Sequence, residues 1–174
     1  MTAPEFSRAV PLESIGEAPR RIDIEADEVE RAALARRFGL VAIDRLAAEA
    51  ELVREAAEVT ATGRIEAAVM QSCVVTGAPV EARLDELFSI RFQPLSESGP
   101  DDEIELGESE LDVTFYEGGA IDLGEAAAET LALALDPYPR SPDAETVLKE
   151  AGVKSEEEAG PFGALAALRD NLGK

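Results

Sequence analysis

The stretch from Ile121 to Pro139, IDLGEAAAETLALALDPYP, constrains the fold more than any other part of the chain. Asp122 precedes Glu125 by three residues, a capping-box spacing that predicts the start of a helix. The residues that follow are almost all Ala and Leu on every side, which is typical of a helix buried in a core. It is too short to cross a bilayer, which takes about 20 apolar residues, and the prolines behind it end it. We therefore predict a central buried helix from Asp122 to Leu135, around which a sheet wraps.

Other helical signals flank this segment. Asp27 and Glu30 repeat the capping-box spacing and predict a helix that ends at Gly39, since glycine suits the left-handed C-cap. Residues 141–148 predict a short helix with serine at the N-cap and proline in the first position. Residues 161–168 predict a last short helix.

Alternation of apolar and polar residues predicts the strands of the sheet. Three successive segments, 46–52, 59–69 and 80–92, follow one another with short connections, which is typical of an antiparallel meander. The full set of segments is 5–12, 20–25, 46–52, 59–69, 80–92 and 112–116. We therefore expect one α+β domain over residues 1–174: a twisted antiparallel sheet that could close towards a barrel, packed on the central buried helix, with short peripheral helices.

Negative charge is concentrated in the second half of the chain. The net charge is −21, and residues 92–139 hold 13 acidic side chains and no Lys or Arg. Within them, residues 95–110 hold seven acids around a Gly-Pro pair, which predicts a mobile acidic loop. A charged linker is expected at 152–160. Such charge disfavours contact with phosphate backbones and favours basic partners, of which ribosomal proteins are an abundant class; solubility alone is the alternative explanation.

The sequence offers little for acid–base catalysis. Because there is no His, the groups that could titrate near neutrality are shifted carboxylates or the single cysteine, Cys73. Cys73 lies among apolar residues with no base nearby, which favours a small buried side chain over a nucleophile. A lone cysteine, no secretory signal and no transmembrane run together favour a cytoplasmic protein without a membrane contact. We expect neither a cofactor nor an enzyme.

The acidic loop is the segment best suited to bind a partner. Its carboxylates could hold Mg²⁺ or Ca²⁺, but their spacing fits no EF-hand loop, so a solvated loop is favoured and we assign no metal site. The expected partner-binding residues are Asp101, Asp102, Glu103, Glu105 and Glu108.

Three segments, taken in order, are similar to those of a known family. They are Cys73-Val74-Val75-Thr76 with Pro79-Val80, Phe88 and Phe92; Ile121-Asp122-Leu123-Gly124-Glu125 with Glu129 and Leu131–Leu135 before Pro137; and Pro161-Phe162 with Leu165 and Leu168. Together, over roughly residues 40–170, they resemble the bacterial YceD family of large ribosomal RNA subunit accumulation proteins. That resemblance implies a role in the synthesis, processing or stability of 23S ribosomal RNA, with no agreed chemical activity.

The resemblance also shows what this chain lacks. Many members have a Cys-x-x-Cys pair where this chain has Cys73 and Thr76, and some have further cysteines near Arg140-Ser141-Pro142. A metal site suspected in those relatives therefore cannot be carried over. The motif from Asp122 to Glu129 is explained as helix cap and helix face, so it receives no catalytic role.

We therefore expect a non-catalytic factor for 23S ribosomal RNA and large ribosomal subunit biogenesis. It would act through a basic protein of the ribosome or of the RNA-processing machinery, and its contact with RNA would be indirect or weak. Two alternatives stay open. One is a metal-dependent carboxylate hydrolase that acts on RNA, and the other is a direct RNA-binding module. The RNA-binding module would use a local basic face formed by Arg20, Arg21, Arg31, Arg36 and Arg37.

Overall fold

The computed structural model describes residues 4–95 and 112–153, and these fall into two compact units. The first unit contains residues 4–71, 81–95 and 112–136, and the second contains residues 72–80 and 137–153. The expectation of a single domain over residues 1–174 stays a prediction.

Three sequence predictions fall mainly outside the described residues. They are the acidic loop at 95–110, of which only Leu95 is described, the linker at 152–160 beyond Val153, and the helix at 161–168.

A mixed five-stranded sheet with strand order β2-β3-β4-β5-β6 forms the frame of the first unit. Its strands are β2 (Arg20–Glu25), β3 (Ala42–Glu55), β4 (Glu58–Ser72), β5 (Pro79–Pro94) and β6 (Asp112–Tyr116). The last residue of β4 and the first two of β5 belong to the second unit. A separate two-stranded sheet pairs β1 (Ala9–Pro11) antiparallel with β7 (Ala120–Asp122).

Strand β6 corrects the expectation of an entirely antiparallel sheet. Its bounds are those predicted, but it runs parallel to β5, with Val113 beside Arg91. Parallel neighbours need a long connection, and the chain between Pro94 and Asp112 has that length. The sheet is open, with β2 and β6 at its two edges, and does not close into a barrel.

The inner face of the sheet carries the predicted alternation. Leu46 and Leu52 on β3 are fully buried, and on β5 the late set from Phe88 to Phe92 continues in phase with the early residues. Gly63 on β4 stands opposite Ala50. A β-carbon at Gly63 would lie 2.9 Å from the Cα of Ala50 and 2.8 Å from the ring of Phe88. The close approach of strand and ring therefore requires glycine there.

Two helices complete the first unit. Helix α1 (Glu28–Phe38) has the predicted capping box of Asp27 and Glu30, and it ends at Gly39 in the left-handed conformation, with φ of 67°. Helix α2 (Leu123–Ala134) is the predicted buried helix, with Ala126, Ala127, Ala128 and Leu131 in the core.

The two ends of α2 differ from the prediction in detail. Asp122 caps the backbone N–H groups of Gly124 and Glu125, but the side chain of Glu125 bonds Arg37 instead of returning to the cap. The last turn is not buried all round, because Leu133 is 82% exposed. The helix therefore buries one face. At its N-terminus only the bonds that Asp122 accepts are formed, and the return bond of a capping box, from the Glu125 side chain, is not.

In the second unit, a turn at residues 73–78 precedes β5, and helix α3 spans Ala144–Glu150. The predicted N-cap at Ser141 is wrong, because the helix begins after Asp143. The carbonyl of Ser141 accepts a bond from the N–H of Ala144, while its side chain bonds Cys73 and Thr76. A hydroxyl used in this way is not available to cap the helix.

Candidate functional site

The acidic residues expected to bind a partner lie outside the described residues. They are Asp101, Asp102, Glu103, Glu105 and Glu108. Their assignment stays a prediction, and the candidate sites below come from the described part of the chain.

The arginines proposed as a basic face are largely engaged within the first unit. Arg21 pairs with Glu49 at 2.6 Å, and Arg37 bonds Glu125 at 2.7 Å. Arg20 and Arg31 donate to backbone carbonyl oxygens, those of Ser14 and Ala26 respectively. Arg36 has no side-chain hydrogen bond or ion pair to another described residue, so four of the five arginines are bonded within the unit. The five therefore do not form a row of free cations for a phosphate backbone.

Further cations of the first unit are paired as well. Arg8 bonds Glu30 at 2.6 Å and 2.8 Å in a two-pronged contact. On the outer face of the sheet, Arg64 pairs with Asp85, and Arg45 lies 3.4 Å from Glu66. Arg36, Arg83 and Arg91 have no ion pair among the described residues, but the acidic side chains of the unit outnumber its arginines, so its net charge is negative.

Cys73 in the second unit lies in a buried cluster of hydrogen-bond donors. Its sulfur accepts bonds from the N–H of Thr76 at 3.4 Å, the N–H of Ser141 at 3.2 Å and the hydroxyl of Ser141 at 3.3 Å. The two hydroxyl oxygens of Thr76 and Ser141 lie 3.0 Å apart, and the N–H of Ala78 donates to that of Thr76. The predicted burial of Cys73 is confirmed, since it is 3% exposed.

Local backbone geometry brings these groups together. The N–H of Cys73 donates to the carbonyl of Ala78, and Gly77 closes the turn with φ of 72°. The N–H of Val74 donates to the carbonyl of Pro139, which holds the segment before Ser141 against the turn. Both segments were singled out from the sequence, but their contact with each other was not predicted.

The hydrogen-bond donors around the Cys73 sulfur lower the pKa of its thiol. Burial raises the pKa of the Cys73 thiol, but the hydrogen bonds from Ser141 and Thr76 outweigh it and lower the pKa to about 6. A pKa of about 6 favours the thiolate over the thiol at neutral pH. Its burial keeps it from acting as an accessible nucleophile.

This cluster does not fit a zinc site. Structural zinc takes four ligands, nearly always cysteine sulfur or histidine nitrogen. Here a single sulfur lies in a cluster with two hydroxyl groups, those of Thr76 and Ser141. It already accepts hydrogen bonds from the N–H of Thr76 and from the N–H and hydroxyl of Ser141. Elsewhere among the described residues, no group of three or more His, Cys, Asp or Glu side chains is arranged to hold a metal ion.

The edge of the large sheet at β6 presents apolar side chains and backbone groups that pair with no other strand of the described residues. Val113 is 41% exposed and Phe115 is 50% exposed. The carbonyl of Tyr116 accepts a bond from the N–H of Leu95, so the peptide groups of even-numbered residues face β5. The N–H and C=O groups of Val113 and Phe115 consequently point away from the sheet.

A groove of about 320 Å³ lies between this edge and helix α2. Its lining includes four carboxylates, Glu117, Asp122, Glu125 and Glu129, and no Lys or Arg. Asp122 is used as the helix cap and Glu125 pairs with Arg37, whereas Glu117 and Glu129 have no hydrogen bond or ion pair to another described residue. Partial burial raises the pKa of Glu129, Glu125 raises it further, and Arg37 lowers it.

The sequence alone did not indicate this groove. Its acids all lie within the stretch without bases, residues 92–139, but their grouping depends on how β6 packs beside α2. The available signal was the sequence Val113-Thr-Phe-Tyr-Glu117, an apolar strand that ends in an acid.

Comparison with known proteins identifies one family. Residues 61–169 match the family described as large ribosomal RNA subunit accumulation protein YceD. No curated protein and no solved structure matches the chain. None of the helices in the described ranges is long and apolar enough to cross a membrane.

Proposed function

We propose, from the premise that this chain belongs to the YceD family, that it supports accumulation of 23S ribosomal RNA by binding a basic protein. The family description supplies the pathway, large-subunit ribosomal RNA accumulation. The class of partner and the non-catalytic mode of action are our proposal.

One observation carries the choice of partner: several arginines of the first unit pair with carboxylates within it, and its acidic side chains outnumber its arginines. Arg8, Arg21, Arg37 and Arg64 each pair with a carboxylate. Residues 92–139 add 13 acids without a single Lys or Arg. A surface with this charge attracts cationic polypeptides and repels bare RNA.

The arginine pairs also weigh against direct RNA binding as the main activity. An RNA contact through Arg21 or Arg37 would have to break the ion pair with Glu49 or with Glu125. The free energy lost with the ion pair would offset part of the free energy gained from the RNA contact. The protein-mediated route requires no exchange of this kind.

Depletion of the protein tests the pathway. We expect the ratio of 23S to 16S ribosomal RNA to fall and to recover when the chain is restored. An unchanged ratio would contradict the proposed role.

Affinity purification with nuclease treatment tests the partner class. The full chain should retain specific basic proteins after the RNA is destroyed. Loss of every specific protein on nuclease treatment would instead mean that RNA mediates the association, in favour of a direct RNA-binding module.

A further inference from the structure

We propose that the free edge of β6 and the acidic groove beside α2 bind an extended segment of the basic partner, which adds to the sheet as a further strand. This inference rests on the proposed function and deepens it, because it names the surface that the partner would use.

The strand edge provides the first part of the site. β6 is the terminal strand of the sheet, and the outward N–H and C=O groups of Val113 and Phe115 accept no strand among the described residues. Exposed edges of this kind readily pair with another chain, and natural proteins usually protect them with charge, proline or a covering segment. An added strand would bond to the four backbone groups of these two residues.

The side chains on the two faces of β6 differ, and this difference predicts which residues should alternate along the partner's strand. Val113 and Phe115 lie on the outer face, beside Arg91 and Gln93. The inner side borders the groove, where Glu117 and Glu129 lack partners among the described residues. A strand with alternating residues would therefore place apolar side chains beside Phe115 and cationic ones in the groove.

Charge complementarity favours this occupant over the segment that precedes β6 and over a second copy of the chain. The segment that precedes β6, residues 96–111, holds seven acids and no base, so it would bring like charge to the groove. A second copy of the chain, paired edge to edge, would bring the same carboxylates together. A lysine or arginine beside Glu129 would instead compensate a carboxylate whose pKa burial and Glu125 have raised.

The direct test uses the purified full chain and two synthetic probes, the peptides acetyl-KVKVKVK-amide and acetyl-EVEVEVE-amide. We expect the lysine peptide, and not the glutamate peptide, to slow hydrogen exchange at the amides of Val113 and Phe115. Equal binding of both peptides would overturn the proposal. Binding that leaves the exchange of these two amides unchanged would do the same.

Two variants separate the edge from the groove. Phe115→Pro removes the outward N–H without removing a bond to β5, so it should abolish binding of the lysine peptide. Glu117→Gln with Glu129→Gln should weaken binding by about tenfold. The matched control, Glu51→Gln with Glu55→Gln, removes the same charge from exposed positions of β3 and should leave binding within about twofold. Similar losses in both double variants would overturn the proposal.

Competing occupants give different results. If another segment of the chain covers β6, the amides of Val113 and Phe115 will be protected in the free protein. If a second copy covers it, sedimentation will show a dimer that Phe115→Pro dissociates. Either result would overturn the proposal.

Complementation in depleted cells, measured as the 23S to 16S ratio, distinguishes failure of this surface from failure of the proposed function. If the native chain restores the 23S to 16S ratio and the Glu117/Glu129 variant restores it equally well, the surface is wrong and the function stands. If the native chain does not affect the ratio, the function is wrong, and the peptide measurements decide on the surface independently.

Discussion

The hydroxyl of Ser141 lies 3.3 Å from the sulfur of Cys73, although 68 residues separate them in the chain. Thr76 continues the contact, since its hydroxyl lies 3.0 Å from that of Ser141 and accepts the N–H of Ala78. In one consistent arrangement, the N–H of Ala78 donates to the hydroxyl oxygen of Thr76. The hydroxyl of Thr76 then donates to that of Ser141, and the hydroxyl of Ser141 donates to the sulfur. In this chain, hydrogen bonds to a single thiolate join the turn before β5 to the segment before α3.

The first prediction concerns the pH dependence of stability. The pKa of Cys73 falls from 9.0 to about 6 on folding, so between these values the unfolded chain binds more protons than the folded one. The stabilisation from the thiolate is therefore fully present above pH 9 and is lost as the pH falls through about 6. Urea unfolding should show a free energy of unfolding that rises with pH across this window.

The control for this prediction is Cys73→Ser, which cannot ionise. Because the sequence has no His, few other side chains titrate in the same window. The serine variant should flatten the pH dependence, whatever its absolute stability. Parallel slopes for the two proteins would contradict a thiolate at Cys73.

The second prediction concerns the reactivity of Cys73. A thiol with a pKa of about 6 would react quickly if exposed, but only 3% of Cys73 is accessible. Labelling by a disulfide reagent at pH 7 should therefore be slow in native protein and become fast in denaturant. Ser141→Ala, which removes a hydroxyl donor to the sulfur, should raise the pKa of the Cys73 thiol in the folded protein, as measured by the ultraviolet absorbance of the thiolate. Rapid labelling of the native chain would show that the site is open.

The third prediction concerns the close packing at Gly63. Gly63→Ala would place a β-carbon 2.9 Å from the Cα of Ala50, where backbone on a neighbouring strand must move. We expect a loss of about 3 kcal/mol in the free energy of unfolding, measured in urea. Gly119→Ala, where the added carbon has no neighbour within 4 Å, is the matched control and should change stability little. Equal effects would contradict the packing described here.

The fourth prediction concerns the cap of helix α2. Asp122 accepts the N–H groups of Gly124 and Glu125, and it also binds the N–H of Arg8 and the hydroxyl of Ser7. Asp122→Ala should therefore lower the free energy of unfolding by about 2 kcal/mol. Asp122→Asn keeps an acceptor oxygen and should lose less than half as much. A neutral alanine variant would show that the cap contributes nothing measurable.

Much of the fold could be predicted because its signals are local. The capping box of Asp27 and Glu30 and the bounds of β6 follow from short sequence patterns, and both are confirmed. The direction of β6 could not be predicted, because it depends on the course of the chain between Pro94 and Asp112. Leu133 was wrongly assigned to the core, since apolar composition does not reveal which face of a helix the sheet covers.

The candidate sites depend on contacts between distant segments, so the sequence revealed less of them. Cys73 was correctly predicted to be buried, but its bond to Ser141 required the second unit to bring residues 73 and 141 together. The groove acids Glu117 and Glu129 are likewise placed by β6 and α2, and not by a shared motif. The predicted partner-binding acids at 101–108 lie outside the described residues and stay a prediction.

The last prediction concerns Arg37, which bonds Glu5 near the start of the chain and Glu125 in the first turn of α2. Its two terminal nitrogens meet both oxygens of Glu125 at 3.0 Å and 2.7 Å, and that hydrogen bond is the main reason why the pKa of Arg37 is raised. Arg37→Lys keeps the charge but loses this fork, so the free energy of unfolding should fall by about 1 kcal/mol.

Arg21→Lys is the matched control for Arg37, because Arg21 pairs with Glu49 while 67% of its side chain is exposed, compared with 34% for Arg37. Solvent screens an exposed pair, so this variant should change stability by less than about 0.5 kcal/mol. Urea unfolding of both variants in low and high salt distinguishes the two cases. If both lose the same small amount, Arg37 is an ordinary surface ion pair; a larger, salt-resistant loss confined to Arg37→Lys would establish that its fork joins α1 to α2 and to the N-terminal segment.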